Sequence, residues 1–169
     1  ILVLLMDTLY TIPVLLLSVV MAFLFGRGIL NAAMALCVVY MPQYFRLVRN
    51  QTSQVKSELF VEAARSIGAD PIWILRKYLL SNVITSVPVL LTLNAADAVL
   101  VLGGLGFLGL GLPESIPEWG SDLNMALVAL PTGIWWTAIY PGLAMFVLVL
   151  GLSFIGEGLE NLISENGSD

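Results

Sequence analysis

Asn94 and Asp97 stand three residues apart inside an otherwise apolar stretch. On a helix that spacing puts both on one face. A charged Asp at the centre of a bilayer costs roughly 2.5–3.5 kcal/mol, so Asp97 must face protein or water rather than lipid. Three uses fit such a pair. It can line a translocation path and contact a polar solute. It can hydrogen-bond between helices and hold two subunits together. Or Asp97 alone can be the ion or proton site of a gradient-driven secondary transporter. Asn82 lies too far toward the other end of the stretch to join them.

Other chemistries are excluded by the inventory. The chain has no His, and its single Cys, Cys37, lies in an apolar run. The usual zinc sites and Ser-His or Cys-His catalysis therefore have no residues to work with, and no metal site or cofactor is expected. No converging catalytic set is present, so the chain reads as no enzyme. Gly104 to Gly109 matches G-x-G-x-x-G, but it follows an apolar run and no acidic residue waits about 20 positions on, as a dinucleotide unit requires. Those glycines read as close helix packing or local unwinding. The phosphate-loop pattern G-x-x-x-x-G-K-[ST] does not occur, so ATP cannot be held that way. The basic cluster is short and lacks interleaved aromatics, which argues against nucleic acid.

The elements that must position Asn94 and Asp97 follow from composition. The 169 residues are 59% hydrophobic and 11% charged, against about 45–50% and about 25% in soluble domains. The apolar runs are continuous rather than alternating, which excludes a barrel. The fold class is all-α: a polytopic helix bundle in a lipid bilayer. A crossing needs about 20 apolar residues, and four runs supply them, at about 1–25, 29–48, 79–102 and 134–155. The chain opens at Ile1 inside the first run, without Met, and is expected to be part of a longer protein. Pro13 and Pro88 each remove a backbone donor within a run, so kinks are expected there. Asp7 is expected to partner the Lys/Arg cluster.

Six of the seven Lys and Arg residues lie between Arg46 and Lys77; Arg27 is the seventh. The positive-inside rule places that loop, 49–78, in the cytoplasm. By parity the Arg27 turn and the region 113–133 lie outside, and the acidic tail 157–169 lies inside. The outer region, with Glu114, Glu118 and Asp122, reads as an interfacial helix or re-entrant plug, with Trp119 at the headgroups.

Within the loop, Ser57 is placed to cap a helix starting at Glu58. Leu59, Phe60, Ala63, Ala64 and Ile67 form one apolar face. Gly68 is placed to end the helix in a left-handed conformation. Asp70-Pro71 restarts a second helix, with Ile72, Trp73, Leu75, Tyr78 and Leu79 as its apolar face. Helices this short are marginal alone, so their apolar residues must pack on the membrane domain or on a partner.

Glu62-Ala63-Ala64, then Gly68 after three residues, resembles the EAA loop of permease subunits of ABC importers. "FLGLG" at 107–111, "PEWG" at 117–120, "YPGLAMF" at 140–146 and "GEGL" at 156–159 resemble the peptide/nickel branch of that family, as do Asp7 with Pro13 and "FRLVR" at 45–49. The ordered set covers nearly the whole chain. The resemblance implies the C-terminal four spans of a six-span permease in the inner membrane. In such a permease Glu62, Ala63, Ala64, Gly68 and Asp70 couple to ATPase subunits. It also implies a second permease subunit, two ATPase subunits and an external solute-binding protein. Tyr78, Ser81 and Leu102 depart from the family pattern and leave the solute open.

Overall fold

The computed structural model describes residues 1–113 and 115–166, with all their side chains except those at 79, 81–85 and 164–166. Glu114, residues 167–169 of the acidic tail, and the side chains of Leu79, Ser81 and Asn82 lie outside the described residues.

The described chain is helical. Helix α1 (Leu2–Thr11) and α2 (Val14–Phe25) come from the first apolar run. They are separated at Ile12 and Pro13 and bent by 107°. A kink was expected at Pro13; the result is a full break. Pro13 has no N–H and disfavours a helical residue before it, and Ile12 is accordingly extended at φ −80°, ψ 129°. Gly26 and Gly28, both at positive φ, turn the chain into α3 (Ile29–Lys56). This helix is 28 residues long and runs well into the stretch read as loop.

Helices α4 (Leu59–Ser66) and α5 (Pro71–Ile74) make the corner. Helix α5 continues without interruption through a π-helical turn, Leu75–Leu79, into α6 (Leu80–Phe107). The helix is thus continuous from Pro71 to Phe107, with Pro88 inside α6. Helix α7 (Trp119–Ala129), within the 113–133 region, leads through a short 3-10 turn to α8 (Trp136–Asn166).

Among the described residues, Ser86–Phe107 and Trp136–Ile163 are long and apolar enough to cross a membrane, and the α1–α2 pair adds a third if it is one broken span. Helix α3 is long enough but carries Asn31, Gln43 and Arg46 among its apolar residues.

Packing is built on glycine. A Cβ on Gly120 would collide with the Gly103 carbonyl, so α6 and α7 touch backbone to backbone. Gly103 also faces Met145, and Gly156 faces Thr92, which lays α8 antiparallel along α6. Within the glycine pattern at 104–109, Gly106 packs against Glu118 and the Gly120 backbone and Gly104 against Leu15, while Gly109 has nothing within 4 Å and takes a positive φ of 74°.

Candidate functional site

Two regions hold the predicted site residues. The first is the corner at α4 and α5. Gly68 adopts φ +80°. The Gly68 N–H bonds to the Arg65 carbonyl at 3.0 Å and the Ala69 N–H to the Ala64 carbonyl at 3.0 Å. This is the Schellman pattern, and it satisfies carbonyls that the helix end leaves free. Two residues on, Asp70 Oδ2 accepts from the N–H groups of Ile72 (3.2 Å) and Trp73 (3.3 Å), with Pro71 in the first turn. The elbow is therefore fixed from both sides by backbone geometry, as read from Gly68 and Asp70-Pro71.

The start of the elbow differs from expectation. Ser57 does not cap α4; its hydroxyl donates back to the Gln54 carbonyl at 2.8 Å and closes α3. The apolar faces also differ. Val61, 0% exposed, packs with Ala64 and Ile74 beneath the corner, backed by Val55, Ala69 and Tyr78. Of the face named for α4, only Ala64 turns inward, while Leu59 and Ile67 are exposed, Ile67 at 86%. Ile72, Trp73 and Leu75 are exposed as well. The elbow presents its apolar side chains outward, around a cavity of about 620 Å³ that Phe60, Ala63, Ile67, Trp73 and Tyr78 help to line. Glu62, Ala63, Gly68 and Asp70 are exposed. Tyr78 packs against Phe60 and Trp73, with Lys77 Nζ 4.7 Å from the Trp73 ring centre.

The second region is the α1–α2 break. Leu9 to Val14, from both helix ends, line a cavity of about 500 Å³ with Gln43 of α3 and Asn94 and Asp97 of α6. The structure brings Asn94 and Asp97 together as the spacing required. Asp97 Oδ2 accepts a 2.9 Å hydrogen bond from the Tyr40 hydroxyl of α3. Asn94 is 8% exposed, and its Nδ2 has no acceptor among the described residues. Asp7 makes no ion pair among the described residues; the nearby Arg46 guanidinium lies over the Tyr10 ring, 4.2 Å from its centre.

Sequence reasoning missed Tyr40 and Gln43. Their own three-residue spacing in α3 mirrors that of Asn94 and Asp97 and was the available signal. It also missed the stitching around the C-terminal end of α6. Arg27 donates to the Gly109 carbonyl at 2.5 Å, Asn124 to the Phe107 carbonyl at 2.7 Å, and the Leu112 N–H to Glu118 Oε1 at 3.3 Å. Arg27 and Asn124 thereby satisfy carbonyls at and just beyond the C-terminal end of α6.

The family described as a binding-protein-dependent transport system inner membrane component matches residues 1–165. The chain belongs to that family. The glutathione transport system permease protein GsiD of Escherichia coli O157:H7 is 35% identical over 160 residues, covering 93% of this chain and 52% of the relative. The proteins of the same name from Shigella flexneri serotype 5b and Shigella sonnei match to the same extent. The chain thus spans about half the length of the curated relatives it matches. Two regions stand out in this member of the family: an exposed elbow continuous with a membrane-capable helix, and a polar cavity halfway along the apolar part of that helix.

Proposed function

We propose that the chain is part of a permease subunit of an ATP-driven importer for peptides or similar small polar solutes. Separate ATPase subunits grip the Ser57–Leu80 elbow through Glu62, Ala63, Ala64, Gly68 and Asp70. A second permease subunit, two ATPases and an external solute-binding protein complete the assembly, and the family description itself names a binding protein. The relatives' name, glutathione transport, supports a small peptide as solute. In this reading α1 with α2, α3, α6 and α8 are four crossings, the elbow and C-terminus are cytoplasmic, and Asn94 and Asp97 line the path.

One observation carries the reading. The exposed apolar elbow is locked at Gly68 and Asp70 and fused through the π-helical turn to α6, the helix that bears Asn94 and Asp97. Force on Trp73 or Leu75 therefore reaches the cavity along one continuous helix. Two arrangements of the bundle, biased by a partner that binds nucleotide, suffice to alternate access.

The test is uptake by the full importer in proteoliposomes. The reading predicts uptake only with ATP inside and no response to a proton or sodium gradient. Uptake driven by such a gradient without ATP would instead make Asp97 the ion site of a secondary transporter.

A further inference from the structure

Asp122 is an exposed carboxylate on α7 that makes no ion pair among the described residues. It borders a groove of about 500 Å³ between α7 and α8. Ala126, Ala129 and Pro141 leave the room, and the exposed rings of Trp136 and Tyr140 line the same space. Asp122 is the only charged residue in that lining. It also borders a second cavity, of about 450 Å³, lined by Val99 and Leu102 of α6 and by Met145 and Leu148 of α8. Tyr140, Pro141, Met145 and Leu148 follow one another along one face of α8. The two spaces therefore lie end to end beside that helix, with Asp122 where they meet. No Lys or Arg lines either space. Glu118, the other acid of the second space, has Oε1 taken by the Leu112 N–H at 3.3 Å.

Asp122 also stands close to the edge of the apolar layer. Residues 137–156, between Trp136 and Glu157, carry no charge and have the length of one crossing. Trp136 at their start favours the headgroup level. Asp122 shares its groove with Tyr140 and Pro141, about one turn inside Trp136. An unpaired carboxylate is unfavourable there, and the cation nearest at hand is that of a lipid headgroup. The Trp136 and Tyr140 rings add cation–π attraction for the same cation. The apolar space along α8 suits an acyl chain.

We infer that this groove seats a phospholipid with a primary ammonium headgroup. The ammonium donates to Asp122 beside the Trp136 and Tyr140 rings, and one acyl chain runs past Met145 and Leu148. Without Lys or Arg, the groove gives no seat to a headgroup whose only charge is negative. Nothing in this seat depends on how transport is driven.

The test uses the full chain with its associated subunits in nanodiscs. The discs hold equal amounts of phosphatidylethanolamine, its N-acetylated form and phosphatidylglycerol, all with the same acyl chains. Met125, 64% exposed on the rim of the groove, carries the probe as Met125→p-benzoylphenylalanine, and mass spectrometry of its photoadducts reads which lipid sits there. With Asp122 intact, phosphatidylethanolamine is expected to exceed either competitor by about fivefold or more, the range of a charge-assisted hydrogen bond with a ring contact. Asp122→Asn keeps the shape of an exposed side chain, so the melting temperature is expected to hold while the preference falls to within about twofold. Tyr140→Leu keeps the groove apolar but removes the ring, and is expected to lower the preference about two- to threefold. Equal capture of the three lipids, a preference that Asp122→Asn leaves unchanged, or adducts to a protein subunit in place of lipid would overturn the inference.

Discussion

Tyr40 and Asp97 join α3 to α6 through a 2.9 Å hydrogen bond, and Gln51 and Ser86 repeat the link about three turns away on both antiparallel helices. The two bonds are in register and make one stripe. They tie the cavity to the part of α3 that leads into the elbow.

Removing the Tyr40–Asp97 bond of that stripe should loosen it. Tyr40→Phe is expected to destabilise the assembled importer by about 1 kcal/mol, with its folded assembly retained. Asp97→Leu removes both the charge and the acceptor and is expected to cut uptake at least about tenfold, more than Asp97→Asn does. Thermal melts and initial uptake rates measure these effects. Normal uptake and assembly by both Asp97 variants would show that the residue serves neither path nor packing.

The glycine contacts make a graded prediction. Gly120→Ala sets a methyl against the Gly103 carbonyl and is expected to cost about 1–3 kcal/mol, because backbone cannot move aside cheaply. Gly103→Ala meets only the flexible end of Met145 and should cost less. Gly151 in α8 has nothing within 4 Å of the added carbon, so Gly151→Ala is expected to be neutral or stabilising by up to about 1 kcal/mol. A melting series in detergent orders the three.

Gly68 tests the elbow's angle apart from its contacts. Nothing crowds an added carbon there, but φ is +80°, so Gly68→Ala carries about 1 kcal/mol of strain from conformation alone. Solute transported per ATP hydrolysed is expected to fall while the isolated ATPase rate holds. An unchanged ratio would mean that the corner's geometry does not matter for coupling.

Glu118 gives the stitch beyond the end of α6 a pH dependence. Burial raises its carboxyl above the ordinary carboxylate value, the Leu112 N–H opposes this, and Asp122 adds to it. A carboxyl raised in the folded state favours folding while protonated. That contribution is complete below the ordinary carboxylate range and is lost as pH rises through the raised value. The wild type should therefore melt at a lower temperature as pH rises through that window, relative to Glu118→Gln, whose profile should be flatter. Parallel profiles would remove Glu118 as the source.

The corner was legible because its determinants are local: Gly68 and Asp70-Pro71 fix backbone conformation by residue type within a few positions. Asn94 and Asp97 were legible because a polar pair in an apolar run has few places to go. Long-range partners were not. Tyr40 lies 57 residues from Asp97; its spacing to Gln43 marks a polar face on α3 but does not say which helix that face meets. The inward face of α4 was misread because Val61 and the outward Leu59 are equally apolar; only the packing of Ile74 beneath decides between them. Ser57 precedes a helix and follows one, and the preceding helix took it. Pro13 promised a kink, but the size of the bend depends on what packs against both ends.

The elbow's grip on an ATPase is tested most directly by site-specific crosslinking in membranes that hold the intact complex. With Cys37→Ser as background, Ala63→Cys and Ser66→Cys on the exposed surface of α4 are crosslinked with a short bifunctional reagent. The account predicts adducts to the nucleotide-hydrolysing subunit whose yield changes when ATP is bound. Adducts that never include that subunit would contradict it.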